Sequence, residues 1–550
     1  MKKIIIMFCT SVVLASCALI MDDANTPTHN GEIETSYIAI NLMAADPDTR
    51  AEGAVYQDGL SAERAVSTAY FFFFQNGQPF PVTVTDNTAS APGTGANYLS
   101  ASLSGSTTVT PNVSDVKNVV LLLKNYRGQY PNQIVAVLNW VPVAGKSYTM
   151  DELKDVVDVQ STISEQKYLV MSNAVYADAV AQTVTATPLT VENIYTTQAA
   201  AMADPIEIYV ERAAAKVTVT APAEKTFDLS RTIVADGSSV KAYAKVIGWE
   251  LYNDFSQSHL LKKINPAWTV DAVGFNWNDM SFHRSYWAIS PEPDWGEGNT
   301  FTWNDGHVFG LLSDVNNGTY ASNSYVYCGE NTTDEADNRT KVIVKARLVD
   351  ASGVTIELAR WYGSEYLTEK NLRTVVATTL KNTYFYKDGT SYKGIVPEDL
   401  KCVVGGGTGA PTGVDATEVY FQLSDAGEEK AWFEYSSANG YQSLEEAELN
   451  VKLATVPPAV LYKNGQTYYF LDIKHLGATG KLAEYGIVRN HVYSVNINSI
   501  KGYGSPVYDP ASKIEIPQYP EEPSNEGSFV SAQVNILSWR MVSQGVDIVQ

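Results

Sequence analysis

Apolar and polar residues alternate in short runs along most of the chain, a pattern typical of β-strands. The first run spans Tyr37–Leu42 and places Ile38, Ile40 and Leu42 on one face, as expected of a half-buried strand. In the first half, runs rich in β-branched and aromatic residues follow at Ala69–Phe74, Val116–Leu123, Ile134–Val143, Tyr168–Ser172 and Ile206–Val210. In the second half they recur at Val240–Leu251, Val342–Leu348, Thr355–Leu358, Val419–Leu423, Val460–Tyr462, Tyr468–Ile473 and His491–Ile500. The pattern predicts an all-β fold with few short helices, one of them over Asp151–Val159.

Changes in composition divide the chain into segments. Residues 18–32 are polar and predict a flexible tether. The segment Glu211–Lys216 leads into a new strand and a turn at Pro222, so we expect a domain boundary near residue 215. Two β-sandwiches, over 51–214 and 215–505, are favoured over an α/β architecture.

The last 45 residues differ from the rest. A proline-rich linker begins near Pro506 and cannot easily join a central sheet. The strand-like segment Phe529–Gln550 follows it. Its apolar residues change face after Ile536, with Val530, Ala532, Val534 and Ile536 on one side and Leu537, Trp539 and Met541 on the other.

The N-terminus has the pattern of an export signal. Lys2 and Lys3 precede an apolar run, Ile4–Leu14, which is too short to cross a bilayer. The run ends in Leu14-Ala15-Ser16-Cys17, which resembles a bacterial lipobox. Residues 1–17 are therefore predicted to be a lipoprotein signal, cleaved between Ser16 and Cys17, with Cys17 lipidated and holding the precursor on the outer membrane.

Charge and motifs exclude several functions. The chain has 39 Lys and Arg against 61 Asp and Glu, and its net charge of −22 repels nucleic-acid phosphates. The six histidines form no His-Glu-x-x-His pattern, and no EF-hand spacing is present, so no metal is expected. The glycines at 405–407 and 409 precede Ala410 and Pro411 instead of a phosphate-binding Lys-Ser pair. Since no nucleophile motif appears either, we expect neither an enzyme nor a cofactor.

Two cysteines remain after the signal and the lipidated position are set aside. Cys328 and Cys402 belong to no Cys-x-x-Cys pair, so zinc and redox motifs are absent. An oxidising compartment would permit a disulfide between them, and the sequence leaves this open.

A tryptophan-rich stretch supports an alternative function. Six of the ten tryptophans lie between Trp249 and Trp303. Aromatic rings on a rim can stack on sugars, which would suit a monomeric surface glycan-binding lipoprotein. The rings would equally well fill the core of the second domain.

Several motifs together resemble the fimbrillins of type V pili in Bacteroidota, most closely the shaft subunits of minor fimbriae. They are the lipobox, the early strand followed by Arg50, the segments Ile134–Pro142 and Glu211–Lys216, the stretch Val488–Ile497, and Asn535–Trp539 near the end. The resemblance implies two transthyretin-like sandwiches, lipoprotein transport to the surface, and polymerisation by donor-strand exchange into fimbriae that support adhesion. It implies a removable first strand with Ile38, Ile40 and Leu42, and a donor strand with Val534, Ile536, Leu537 and Trp539.

The resemblance also implies a processing step and partners. A trypsin-like protease would cut between Arg50 and Ala51, and Arg64 is the nearest rival site. The expected partners are other copies of the chain, related anchor or tip subunits, the protease, and host or bacterial surface ligands.

Overall fold

The computed structural model describes residues 35–43, 55–57, 59–82, 89–90, 95–106, 116–124, 130–158, 168–174, 176–177, 183–235, 237–265, 288–291, 306–333, 335–406, 408–475, 480, 483–511, 529–537 and 540–541. Strands of the first half are β1 Thr35–Met43, β2 Val55–Tyr56, β3 Ala69–Gln75, β4 Gln78–Pro79, β5 Ala89–Ser90, β6 Tyr98–Ala101, β7 Ser104–Ser106, β8 Val116–Lys124, β9 Gln133–Leu138, β10 Val156–Asp158, β11 Met171–Asn173, β12 Tyr176–Ala177, β13 Thr183–Val184, β14 Thr187–Pro188 and β15 Ile206–Arg212.

Strands of the second half are β16 Ala215–Thr220, β17 Thr226–Ala235, β18 Ser238–Tyr252, β19 Gln257–His259, β20 Tyr325–Cys328, β21 Lys341–Val349, β22 Leu358–Trp361, β23 Ser364–Tyr366, β24 Tyr384–Asp388, β25 Ser391–Gly394, β26 Leu400–Val404, β27 Val419–Leu423, β28 Trp432–Ser436, β29 Gly440–Leu444, β30 Val460–Tyr462, β31 Gln466–Asp472, β32 Val492–Lys501, β33 Ser505–Pro506, β34 Phe529–Leu537 and β35 Arg540–Met541. The helices are α1 Ser61–Arg64, α2 Gln198–Ala203, α3 Leu312–Asn316, α4 Glu369–Leu380, α5 Asp425–Glu428 and α6 Glu446–Leu453.

The first half folds around one long sheet. In the described part of the chain its strand order is β5-β6-β3-β9-β11-β15-β1-β8-β7, with β4 and β14 attached to β3 and β9. Inner strands are covered on both faces, which explains the unbroken aromatic run of β3: Phe71 and Phe73 enter one core, and Phe72 and Phe74 enter another. The first of these cores also contains Ile38 and Ile40 of β1.

The second half is a sandwich of two sheets. One has the order β20-β16-β32-β34 and the other β17-β18-β21-β31-β33. Alternate residues of both sheets, such as Val217, Val344 and Val495, form the core between them. The C-terminal strand β34 lies at the edge of the first sheet.

A smaller unit is inserted between the adjacent strands β21 and β31. Residues 358–462 form the sheets β23-β22-β30, β25-β24-β28-β29 and β26-β27, together with α4, α5 and α6. The side chain of Thr368 caps α4 by accepting a hydrogen bond from the backbone N–H of Asn371. Leu372 and Val376 of α4 lie in a core that contains Phe421, Trp432 and other residues of this unit.

The prediction of an all-β fold with few short helices is confirmed. The predicted helix over Asp151–Val159 is wrong: a single 3-10 turn, Glu152–Lys154, leads into β10. This short strand pairs with β19, about a hundred residues later in the chain, so a long-range contact overrides the local helical period. The proposed domain limits stay predictions, although the 215–505 range contains the inserted unit as well as the sandwich.

Candidate assembly site

Strand β1 is an inner strand of its sheet. It runs antiparallel to β8, with Ile38 opposite Leu121 and Ile40 opposite Val119. On its other side it runs parallel to β15, where Ile40 pairs with Ile206. Its backbone is therefore paired with β8 from Thr35 to Met43 and with β15 from Ile40 to Met43.

The side chains at the centre of β1 are fully buried. Ile38 and Ile40 have 0% exposure and pack among aliphatic residues of β8, β9 and β15. Ala39, which points to the opposite face, is buried as well. Burying each isoleucine contributes about 1.5–3 kcal/mol. Loss of β1 would therefore leave an apolar slot between β8 and β15. The backbone edges of these two strands that face the slot would then be unpaired.

The C-terminal strand is paired within its own chain. β34 runs antiparallel to β32, with Val534 opposite Val495 and Ile536 opposite Tyr493. After it, β35 pairs with the short strand β2, which follows the predicted cleavage site along the chain. Leu537, the last residue of β34, is opposite Val492. One edge of β34 is thus held by β32, and the other faces no strand among the described residues.

Several predicted site residues lie outside the described part of the chain. These are Ser16, Cys17, Arg50, Ala51 and Trp539. Leu42 belongs to β1 and pairs with Ile208 through the backbone. The strand predicted over Tyr37–Leu42 is therefore an inner strand of the sheet, while its removal, the lipidation and the cleavage stay predictions.

A buried ion pair lies where the two halves of the molecule meet. Glu63, at the end of α1, accepts a hydrogen bond from Lys216 of β16 at 2.8 Å, and the two side chains are 1% and 0% exposed. Tyr327 of β20 also donates its hydroxyl to Glu63. Burial lowers the pKa of Lys216 to about 8, with Glu63 opposing the change, and burial raises the pKa of Tyr327. The Lys216 ammonium also lies 3.3 Å from the centre of the Tyr320 ring, a cation–π contact.

A second buried network adjoins the first. Glu211 pairs with Lys262 at 3.1 Å, and Arg489 pairs with Glu330 at 2.7 Å. Arg489 also donates to the carbonyl oxygen of Leu260 at 3.2 Å. Burial raises the pKa of Glu211, although Lys262 and Arg489 oppose the change.

These networks bring together two sequence motifs that lie far apart in the chain. Arg212, from the Glu211–Lys216 segment, donates to the Asn490 side chain at 3.0 Å and to the backbone oxygen of Glu63 at 2.9 Å. Asn490 and Arg489 belong to the Val488–Ile497 segment. Both motifs can be recognised in the sequence, but Glu63 cannot. A single glutamate in a short helix belongs to no sequence pattern that predicts a buried ion-pair partner.

Both cysteines are free and buried, so the disulfide that the sequence left open is absent. Cys328 lies in the core of the second sandwich, and Cys402 lies in the core of the inserted unit. Burial raises the pKa of both thiols, to about 12 for Cys402. Neither thiol is therefore a reactive thiolate at neutral pH.

The tryptophan-rich stretch is only partly described. Trp249 is fully buried, and its indole N–H donates to the backbone oxygen of Val308 at 2.9 Å. Its ring also contacts His307, with the ring centres 5.1 Å apart. Trp249 is thus a core residue, and the other five tryptophans of the stretch lie outside the described residues.

The described residues contain neither a metal site nor a membrane span. No group of three or more His, Cys, Asp or Glu side chains among them could bind a metal ion. No helix in the same part of the chain is long and apolar enough to cross a membrane.

Comparison with known proteins supports the resemblance seen in the sequence. Residues 460–545 match the family "Major fimbrial subunit protein type IV, Fimbrillin, C-terminal". This segment contains β31, β32 and β34, and therefore includes the pairing of the C-terminal strand. No curated protein matches the chain.

Several solved structures also match the chain at low sequence identity. A putative cell adhesion protein from Parabacteroides distasonis is 12% identical, with 94% of this chain and 98% of that chain covered and a TM-score of 0.35. A fimbrilin from Porphyromonas gingivalis is 12% identical, with 94% and 99% covered and a TM-score of 0.34. A fimbrial assembly protein from Parabacteroides distasonis is 10% identical, with 74% and 98% covered and a TM-score of 0.23.

Proposed function

Because residues 460–545 match the C-terminal region of fimbrillins, we propose that this chain is a structural subunit of a cell-surface fimbrium that polymerises by donor-strand exchange. One observation carries the proposal. The strand nearest the N-terminus among the described residues, β1, is an inner strand whose two isoleucines are fully buried. A chain that loses this strand must find another strand to replace it.

Loss of β1 would be costly for an isolated molecule. Two buried isoleucines contribute about 3–6 kcal/mol together. Each ladder hydrogen bond adds about 1 kcal/mol. An open slot would also expose unpaired backbone edges, which favour pairing with a strand from another chain. The free energy released on filling the slot would drive assembly.

The C-terminal strand of a neighbouring subunit suits this slot. β1 and β34 are both nine residues long. β34 lies at a sheet edge after a proline-rich linker, so its departure breaks the ladder with β32 and the two-residue ladder between β35 and β2, and no other named ladder. Donation of a strand from one subunit to the next is a head-to-tail contact. Because such contacts do not close into a ring, they produce a filament.

Export and maturation complete the proposal. The precursor reaches the outer membrane with a lipid on Cys17, and a protease then cuts between Arg50 and Ala51 to release β1. The rival Arg64 directly follows Glu63, whose carboxylate is paired with Lys216 in the interior. Cleavage after Arg64 would detach Glu63 from the mature chain and leave a buried lysine without its acid. The Glu63–Lys216 pair therefore favours Arg50 as the processing site.

N-terminal sequencing of cell-surface filaments tests this scheme. Filaments of the unchanged protein should begin at Ala51. Arg50→Ala should leave unpolymerised precursor that retains residues 35–43, whereas the matched variant Arg64→Ala should polymerise normally. Filaments that begin at Cys17 would contradict removal of β1, and filaments that begin at Ala65 would move the processing site.

A further inference from the structure

The slot left by β1 has two well-defined pockets. One is occupied by Ile38, opposite Leu121, and the other by Ile40, opposite Val119. Between them, the small residue Ala39 is buried on the other face. Any strand that replaces β1 must supply two aliphatic residues at alternate positions, with a residue of limited size between them.

The C-terminal strand offers few ways to meet this requirement. One face of this strand is entirely aliphatic and consists of Val530, Ala532, Val534 and Ile536. Four placements bring this face to the pockets of Ile38 and Ile40 in that order: Val530 with Ala532, Ala532 with Val534, Val534 with Ile536, or Ile536 with Ser538. The opposite face would put a polar side chain or the much larger Trp539 into a pocket shaped by isoleucine.

Volume decides among the four placements. Alanine in either pocket leaves an unfilled cavity, and serine in the Ile40 pocket adds a buried hydroxyl to a cavity. Val534 with Ile536 leaves a gap of only a single methyl group. This placement puts Asn535 at the position of Ala39, whereas two of the alternatives put the larger residues Gln533 or Leu537 there.

The direction of the donor strand follows from the slot edges. β8 and β15 lie at the spacing and slant set by an antiparallel ladder on one side and a parallel ladder on the other. Reversing the strand would exchange the two ladder types, which differ in hydrogen-bond geometry, so the original direction fits without moving either edge.

We propose that, in the filament, Val534 occupies the pocket of Ile38 and Ile536 occupies the pocket of Ile40 in the next subunit, with the donor strand running in the direction of β1. This register rests on the donor-strand exchange proposed above. It places Ile536 of one subunit opposite Val119 of the next. In the single chain, the same Ile536 lies opposite Tyr493, so assembly exchanges one partner for another.

Disulfide trapping in filaments tests the register. The full chain would carry Ile536→Cys together with Val119→Cys, Leu121→Cys or Lys117→Cys, and would be matured with an Arg-specific protease and then oxidised. Directly opposed residues in neighbouring strands are close enough for a disulfide, whereas diagonal neighbours are not. The 536/119 pair should give a ladder of covalent multimers on a non-reducing gel, at least tenfold stronger than either other pair.

The other outcomes separate the register from the mechanism. A dominant 536/117 ladder would mean that Ala532 and Val534 fill the pockets, and a dominant 536/121 ladder would mean that Ile536 fills the Ile38 pocket, with Ser538 after it or with the strand reversed. A fourth pair, Val534→Cys with Lys117→Cys, reports the placement of Val530 and Ala532 in the pockets. Each of these results overturns the register but keeps donor-strand exchange. Filaments of normal appearance with no ladder from any of the four pairs would overturn both. The single variants Ile536→Cys and Val119→Cys, which must still form filaments, control for folding.

Discussion

At the scale of single residues, the most informative side chains are charged ones inside the molecule. Glu63, Glu211, Arg212, Lys216 and Arg489 are all buried and all have polar partners. Most of them lie in motifs that can be recognised in the sequence, but the sequence does not show which residues they pair with. Their partners lie up to 278 residues away, and no periodicity connects positions at that separation.

The Glu63–Lys216 pair should matter far more than a surface pair. Glu63→Ala leaves a buried ammonium without its acid, which typically costs about 3–5 kcal/mol of the free energy of unfolding. The matched control is Glu428→Ala, since Glu428 pairs with Lys401 where both side chains are more than a third exposed. That change should cost less than about 1 kcal/mol. Urea denaturation of both variants measures the difference, and equal losses would contradict a structural role for Glu63.

Lys216 should also make stability depend on pH in an unusual direction. Its pKa is about 8 in the folded chain against 10.5 for an ordinary lysine. Above pH 8 the unfolded chain therefore binds more protons than the folded chain, so the Lys216 contribution to the free energy of unfolding increases as the pH rises. Between pH 8 and 9.5 we expect a gain of about 1.5 kcal/mol.

The double variant Glu63→Gln/Lys216→Met isolates this effect because it removes both charges. Chemical denaturation at several pH values should show that the unchanged protein gains stability relative to the variant across the window. The raised thiol pKa values of Cys328 and Cys402 act in the opposite direction, but they act equally in both proteins. Parallel pH profiles for the two proteins would refute the prediction.

At the scale of elements, strands were predicted better than helices. Val419–Leu423 and Val460–Tyr462 match observed strands residue for residue. Helix α4 was missed, because a helix rich in threonine and charged residues shows only a weak apolar face in the sequence. The inserted unit was missed with it, since its strands have the same composition as those of the surrounding sandwich.

The C-terminal strand cannot serve two sheets at once. If β34 must leave β32 before it enters a neighbour, a covalent link between the two strands should stop assembly. Asn496 and Gln533 are directly opposite each other in this ladder. The oxidised double variant Asn496→Cys/Gln533→Cys should form no filaments in electron micrographs, and reduction should restore them. Filaments from the oxidised protein would show that β34 stays in place during assembly.

At the scale of the whole molecule, the two halves of the chain are joined by more than a linker. The ladder between β10 and β19 connects the halves, and one core cluster contains Phe72 and Val135 from the first half with Leu260 and Val492 from the second. The two buried networks lie at the same joint. The joint therefore combines a shared apolar core with buried ion pairs.

The sequence supplied much of the assembly scheme but not its geometry. The period-two pattern identified β1 and the apolar faces of the C-terminal segment, since alternation is a local property. It could not show that β1 lies between β8 and β15, because strand order depends on contacts between distant residues. The slot and its two pockets therefore come only from the structure.

The central claim is that a neighbour's C-terminal strand replaces β1. The most direct measurement uses the cleaved subunit without residues 529–550, to which a synthetic peptide of that sequence is added. The shortened subunit should form no filaments, and the peptide should bind it and raise its melting temperature. The rise should be larger than for the uncleaved precursor shortened in the same way, in which the edge of β32 is equally open but β1 still fills the slot. Ordinary filaments from the shortened subunit, or an equal effect of the peptide on precursor and cleaved chain, would contradict the account.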